Sequence, residues 1–411
     1  MMGLATAESI AQQHSRWPLT RLDVAGAFGD IGVLFPIAVA LITLNHLNPT
    51  SLFLTAGLTY CLAARYFQIP IAVQPFKAVA AIALALSLAP SAIASAGLLM
   101  GVLLLLVGVT NAAQFLARLF TLPIVRGIQL GLGLLLAREG LRLIIAHKAT
   151  QALPGGPLTA WGIAVVGAVL LLLLRNSRRF PAALVLLIAG VTLGLVWRGG
   201  RLPALALGPV PIGFLHPHIA ELLRVLPLLV VPQFALTFGN SIVATENTAR
   251  VLYGEQARRV TVRALSLSIG AVNLASAAVM GSPLCHGSGG ITAHYRFGAR
   301  SAKSSYVIGA VCLLLALLGR AAVGLLELIP FAVLGVFLLY VGVQHAAYLR
   351  DIVGRPALLV IALAVGVVSL LTTNLMWGFL TGFVLEGVFR SCGYARRLWA
   401  KRQHSLAGRG A

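Results

Sequence analysis

Long uncharged stretches alternate with short polar ones along this chain. Residues 31–64, 78–117, 149–174, 225–245, 264–295, 304–319 and 356–385 contain no Asp, Glu, Lys or Arg. A helix needs about 20 residues to cross the hydrocarbon of a bilayer. The longest stretches therefore hold more than one crossing, divided at turns such as "NHLNPTS" (45–51) and "LAPSA" (88–92). The pattern predicts fourteen segments, near 22–46, 50–67, 75–89, 92–117, 122–138, 158–174, 181–197, 225–246, 262–280, 283–296, 304–319, 321–343, 356–373 and 375–391. The third and tenth are too short to cross and begin with irregular sequence. The expected fold is all-α and polytopic. A tail at 1–20 precedes a first half over 21–200 and a second over 201–391, and a basic tail follows at 392–411.

Composition agrees and adds an orientation. The chain is 59% hydrophobic and 10% charged, against about 25% charged in soluble domains. A formal net charge of +21 raises nucleic acid as a partner. The basic residues argue against it, because they gather at segment ends ("RNSRR" 175–179, "EQARRVTVR" 255–263, "RRLWAKR" 396–402) and build no domain for a duplex. They follow the positive-inside rule instead: with both termini inside, the inner connections and tails hold 23 of the 31 Lys and Arg. The expectation is a multi-pass protein of the cell inner membrane, with cytoplasmic termini, surrounding lipid and no nucleic-acid partner. Cys61, Cys285, Cys312 and Cys392 have no paired spacing, so neither a disulfide framework nor a zinc ribbon is expected. The first 20 residues lack the apolar core of a signal peptide.

The two halves resemble each other. "AFGDIGVLF" (27–35) parallels "TFGNSIVAT" (237–245), which pairs Asp30 with Asn240. "VQPFKAVAA" (73–81) parallels "GSPLCHGSG" (281–289), pairing Pro75 with Pro283, and "LPIVRGIQLGLG" (122–133) parallels "IPFAVLGVFLLY" (329–340), pairing Pro123 with Pro330. The offsets are 210, 208 and 207 residues, about seven segments. An odd number of crossings inserts the second half upside down, which is the 7+7 inverted repeat found in many secondary transporters.

The repeat assigns a role to "GSPLCHGSGG" (281–290), the most helix-breaking stretch of the chain. Proline suits the first turn of a helix. Pro75 and Pro283 are therefore expected to start two half-helices, with Gln74 and Ser282 before them as caps. Facing N-termini offer free N–H groups and partial positive charge to an anion. Gly287, Gly289 and Gly290 let backbone or ligand approach closely. Lys77 opposes the helix dipole and is costly at membrane depth, so it either faces an anion or a carboxylate such as Asp30, or snorkels as a structural ion pair. His286 either donates to the anion or carries a proton. A metal site with Cys285 and His294 is disfavoured, because i to i+8 is too wide for two ligands on one helix. Asp30 and Glu246 are the intramembrane acids that could couple a proton; Glu246 could equally pair with Arg250. Arg126 and Arg296 read as anchors at inner segment ends, and His294 as a packing residue. No cofactor is expected.

At these residues the chain resembles a known family. "GAFGDIGVLFPI", "PIAVQPFKAVAA", "VPQFALTFGNSIVA" and "CHGSGGITAHYRFGARS" are similar to the molybdate transporter family of plants and bacteria, a branch related to the SulP sulfate permeases. The resemblance runs from about residue 21 to 391 and implies the uracil-permease-like fold. In that fold segments 1–4 and 8–11 form a core domain that slides as an elevator against a gate of segments 5–7 and 12–14. It implies a site lined by Gln74, Pro75, Phe76 and Lys77 and by Cys285, His286, Gly287, Ser288, Gly289 and Gly290, with Asp30 and Asn240 from the crossing helices. It implies a homodimer, and no regulatory domain is expected after the last segment. Leu284 stands where plant relatives are expected to have a second cysteine.

The resulting expectation is a proton-coupled importer of molybdate or sulfate. An anion channel or exchanger for chloride or bicarbonate and a nucleobase permease are the alternatives. An enzyme is disfavoured, since no nucleophile–base pair is apparent.

Overall fold

Hydrocarbon offers the backbone no hydrogen-bond partner, so apolar runs must satisfy their own N–H and C=O groups. In a computed structural model describing residues 19–110, 112, 121–145, 156–174, 177, 182–203, 206–389 and 391, nearly all of these runs are helices. Tail residues 1–18 and 392–411, Cys392 among them, lie outside the described residues.

Thr20 and Asp23 form a reciprocal cap that opens α1 (Arg21–Ala27). The chain breaks at Phe28–Asp30 and resumes as α2 (Ile31–Leu44). Asn48 caps α3 (Pro49–Phe67), which ends on Gln68 in the left-handed conformation. Then follow β1 (Gln74–Pro75), α4 (Lys77–Leu86), α5 (Pro90–Val109), α6 (Leu122–Ile145), α7 (Gly156–Leu174) and α8 (Ala182–Trp197). The next helical stretch, α9 (Ile219–Arg259), widens into π turns at Leu226–Val230 and Thr237–Val243 and closes with a 3-10 turn from Gly254, where φ is +54°. After it come α10 (Val262–Ala278), β2 (Leu284–Cys285), α11 (Ser288–Arg296), α12 (Lys303–Leu317), α13 (Gly319–Leu326), α14 (Phe331–Ala346) and α15 (Pro356–Thr372), and α16 (Leu375–Phe389).

The third and tenth segments are indeed half-length. At 1.5 Å per residue, α4 and α11 span about 15 and 14 Å, half the ~30 Å hydrocarbon. Several details differ from the sequence reading. The fold is not purely helical, because β1 and β2 pair antiparallel with Gln74 opposite Cys285 and Pro75 opposite Leu284. The segment expected at 22–46 is broken before Ile31, and the one at 321–343 is divided where Pro330 ends a break between α13 and α14. Among the described residues four helices are long and apolar enough to cross a membrane by themselves, or five if α12 and α13, bent by 90°, count as one.

Glycine lets the long helices meet backbone to backbone. A Cβ on Gly133 of α6 would lie 2.5 Å from the Gly342 carbonyl oxygen of α14, and one on Gly140 would lie 2.5 Å from that of Gly335. The reverse contacts are as close: Gly335 to Gly140 O at 2.5 Å and Gly342 to Gly133 O at 2.6 Å. A looser version joins α3 to α12, where Gly57 faces Gly309 O at 2.9 Å. Small residues at the seam are how helices associate without a hydrophobic driving force.

Gly133→Ala or Gly140→Ala is therefore expected to force α6 and α14 apart and destabilise the protein by about 1–3 kcal/mol. Gly162→Ala, where nothing lies within 4 Å of the added carbon, should be neutral or slightly stabilising. Thermal unfolding in detergent measures both.

Candidate functional site

Two unwound stretches meet at the centre of the molecule, and their backbone groups are paired one by one. Phe76 N donates to Pro283 O at 2.9 Å. The Asn273 side chain, reaching from α10, acts as an extra strand: its Oδ1 accepts from Leu284 N at 2.9 Å and its Nδ2 donates to Leu284 O at 2.7 Å. Tyr60 donates to Val73 O at 3.1 Å, and Ser305 accepts from Ile71 N at 3.1 Å. Thr245 of α9 donates to His286 O at 3.0 Å. Buried polar groups cost about 1–3 kcal/mol each when unpaired, which explains this density of side-chain partners.

The prolines do not start the half-helices as expected. Pro75 lies in β1 and Pro283 just before β2, and the helix caps are Phe76 and Gly287, both extended. Extended backbone here lets Phe76 N pair across the sheet, which a helical first turn would not. Gln74 and Ser282 are not caps either. Ser282 is buried, its hydroxyl on Pro283 O and its carbonyl accepting from Ser276.

A cavity of about 260 Å³ lies beside the two half-helices, room for roughly nine waters at ~30 Å³ each. Of the residues singled out from sequence, Asp30, Gln74, Lys77, Asn240, Gly289 and Gly290 line it. Three of them form one hydrogen-bonded chain. Lys77 Nζ donates to Gln74 Oε1 at 2.5 Å, and Gln74 Nε2 donates to Asp30 Oδ1 at 2.5 Å. Lys77 and Asp30 thus meet through Gln74 and not as a direct ion pair. The other oxygen, Asp30 Oδ2, is buried without a partner and sits 2.7 Å from where a Cβ on Gly290 would be. It therefore lies against the first turn of α11. In that turn the N–H groups of Ser288 and Gly289 have no acceptor among the described residues. The π turn at Thr237–Val243 presents Asn240, whose Oδ1 accepts from Ser288 Oγ at 2.8 Å. Such turns often mark functional positions.

The remaining expected residues stand behind this lining. Phe76 is 1% exposed in the core, and Gly287 packs against the Gln74 amide, which leaves 2.6 Å for a Cβ. Cys285 is buried, beside the Ser241 side chain. His286 does not face the cavity: Nδ1 donates to Ala72 O at 2.9 Å, Nε2 meets Ser268 Oγ at 2.9 Å, and the ring stands edge-on to Phe67. It clamps the unwound stretches together. His294 donates through Nδ1 to Gly26 O at 2.8 Å, tying α11 to α1. Glu246 is bonded to Arg250 at 2.6 Å and is not among the cavity residues.

Several lining residues were not singled out in the sequence. Arg296, read as an anchor, forms part of the wall, with Thr292, Tyr340, Gln344, His345 and Tyr348. The last four were detectable as polar side chains at helical spacing in "YVGVQHAAY" (340–348), an otherwise apolar run. Lys77 and Arg296 set two positive charges against the single negative charge of Asp30 among the lining residues, so the cavity is electropositive. Among the described residues no three His, Cys, Asp or Glu side chains converge on a metal position.

Half-helices abutting through a two-residue sheet, with a polar cavity at their ends, define the class: a multi-pass helical membrane protein with the fold of the solute carrier 26 transporters. The structure matches that of SLC26A9 with a TM-score of 0.65 at 16% identity, covering 89% of this chain and 64% of that one. The chain thus spans less than two thirds of the SLC26A9 chain it resembles. It matches the transmembrane domain of a cyanobacterium bicarbonate transporter, BicA, with a TM-score of 0.63 at 16% identity, covering 88% of this chain and 97% of that one. At this identity the likeness is one of fold. Sequence narrows it. The family model described as "Molybdate transporter of MFS superfamily" matches residues 23–136 and 226–344, more than half of the chain, and the chain belongs to that family. "Molybdate transporter 2" of Arabidopsis thaliana is 29% identical over 402 residues, 88% of this chain and 86% of its own length. The relatives are transporters, not enzymes. The matched stretches hold all the cavity lining except Leu174, Ala182, His345 and Tyr348.

The placement of His286 separates structural from binding roles. His286→Ala should lower stability by about 2–4 kcal/mol, because it strands the buried Ala72 carbonyl and the half-buried Ser268 hydroxyl and leaves a void. Lys77→Met removes a cavity charge and the donor to Gln74 Oε1, but Gln74 lines the cavity, where water can replace that donor, so it should lower the unfolding temperature less than His286→Ala. Unfolding of the purified proteins in detergent, without added anion, compares them.

Proposed function

We propose that this protein is a secondary active importer of a tetrahedral oxyanion, molybdate or sulfate, driven by a proton gradient. The observation that carries this reading is the electropositive cavity lined by Lys77 and Gly289, beside a helix start whose Ser288 and Gly289 N–H groups have no acceptor among the described residues, in a chain of the molybdate transporter family. Free N–H groups at a helix start, and an ammonium with only one of its three N–H bonds engaged, by Gln74, are the complement of an oxyanion. A neutral nucleobase would leave the charge of Lys77 unanswered.

Asp30 is the proposed proton carrier. Its Oδ2 has no donor and lies at the first turn of α11, beside the proposed anion position. A proton there removes the repulsion between carboxylate and dianion and adds a donor, so anion and proton favour each other's binding. The pairing of Glu246 with Arg250 leaves Asp30 the better candidate of the two acids.

The proposed movement is an elevator. Segments 1–4 and 8–11 would be the substrate-holding core, sliding against a gate of segments 5–7 and 12–14. The seam of α6 with α14 supports a gate that moves as one body. The proposed 7+7 inverted repeat of fourteen segments, divided between 21–200 and 201–391, draws support from reciprocal packing. In it α3 sits against α12 and α5 against α10, as a two-fold axis exchanging second and fourth segments requires. A homodimer in the inner membrane with cytoplasmic termini completes the proposal.

Reconstituted in sealed vesicles, the protein should accumulate labelled molybdate when an inward proton gradient is imposed, and sulfate in excess separates a selective from a general oxyanion carrier. Lys77→Met should reduce uptake at least tenfold, since a charge-assisted hydrogen bond contributes about 1.5–3 kcal/mol. Asp30→Asn, which mimics the protonated acid, should still bind anion, with an affinity that no longer weakens as pH rises, and should lose gradient-driven accumulation. Absence of molybdate and sulfate uptake, with bicarbonate or chloride flux present, would replace the oxyanion reading with the anion-channel or exchanger one.

A further inference from the structure

The two half-helices look like equivalent anion cradles, yet their first turns are occupied differently. In α4 the N–H groups of Ala78 and Val79 both donate to Gln233 Oε1, at 2.9 and 3.3 Å. Phe76 N is taken by Pro283 O, so of this helix start only Lys77 N lacks an acceptor among the described residues. In α11 the N–H groups of Ser288 and Gly289 have none. The cavity follows the same division. Gly289 and Gly290 line it, whereas α4 contributes the Lys77 side chain and neither Ala78 nor Val79.

Gln233 is built to stay in place. It is 2% exposed, and its Nε2 donates to Thr237 Oγ1 at 2.9 Å. That bond orients the amide, with nitrogen toward Thr237 and oxygen toward the helix start. Thr237 opens the π turn that also carries Asn240. A neutral carbonyl oxygen therefore occupies the position where a symmetric site would hold an anion.

We infer that Gln233 is a permanent internal acceptor that closes the α4 start to anions, so that the protein binds one anion per chain, on the α11 side, and uses α4 only as the mount for Lys77. This rests on the oxyanion reading for the identity of the ligand but not for the cap itself. Gln233 is thus a positioning residue. Without it, two dianions could enter one cavity and repel each other, and the single charge of Lys77 would be divided between them.

The test compares wild type with Gln233→Ala and Gln233→Glu as purified full chains in detergent, with unfolding temperature as readout. Molybdate is first titrated to saturation, and chloride is then added against a chloride-free inert salt. Wild type should respond to molybdate and show no further response to chloride. Gln233→Ala bares two N–H groups and should gain a chloride-dependent rise of about 2 °C on top of the molybdate response. Gln233→Glu keeps an acceptor for both N–H groups, so it should remain insensitive to chloride. Its molybdate affinity should fall about tenfold, the order expected of one added charge at an effective dielectric constant of ~20. Loss of stability alone cannot imitate a gain of chloride response. If Gln233→Ala matches wild type in both titrations, the inference is wrong. If neither protein responds to molybdate, the oxyanion reading fails, and the chloride difference between them still decides the cap. Should Gln233→Ala not fold, Gln233→Glu decides: a chloride response that wild type lacks, or a molybdate affinity unchanged from wild type, would overturn the inference.

Discussion

Unwound backbone inside a membrane protein must find a partner for every N–H and C=O, and this requirement shapes everything near the cavity. The bridge between β1 and β2 is the smallest arrangement that meets it, two residues on each side. Asn273, Tyr60, Ser305 and Thr245 then satisfy groups the bridge leaves over. Without that pairing the chain would have to run through as full helices. There would be no helix starts at mid-depth, no place for Lys77 and no cavity. The polar residues packed around the bridge are therefore structural, although their chemistry resembles that of a binding site.

That resemblance explains what could be read from the sequence and what could not. The charge-free runs, the half-length of segments three and ten and the meeting of "QPFK" with "SPLCHG" were legible, because each follows from composition or from a proline–glycine cluster. The positions of the prolines were misread: local preference puts proline in a first helical turn, but pairing across the chain held Pro75 extended. His286 was misread for a related reason. An intramembrane histidine reads as functional by default, and only the geometry places both its nitrogens on Ala72 and Ser268. Arg296 failed in the other direction, since charge at a segment end is the ordinary anchoring pattern.

Gln233 was within the stretch "VPQFALTFGNSIVA" that carried part of the family resemblance, yet nothing in one sequence separates a capping amide from any other buried glutamine. Its partner lies 155 residues away. Contacts of this kind connect α9 to α4 through the interior, and hydrophobic period has no bearing on them. The same holds for the Lys77–Gln74–Asp30 chain. Its members were each singled out in the sequence, while the order in which they touch came from the fold.

The π turn at Thr237–Val243 also sets the angular phase of α9. A π turn accommodates about one residue more than an α turn, and one residue corresponds to roughly 100° of rotation. The helix before the turn and the helix after it therefore follow different wheels, one aiming Gln233 at α4 and the other aiming Thr245 at the His286 carbonyl, between β2 and α11. A regular α-helix through the same sequence could satisfy one of these partners but would swing the other out toward lipid. The bulge acts as a phase shifter that lets a single helix serve both half-helices at once.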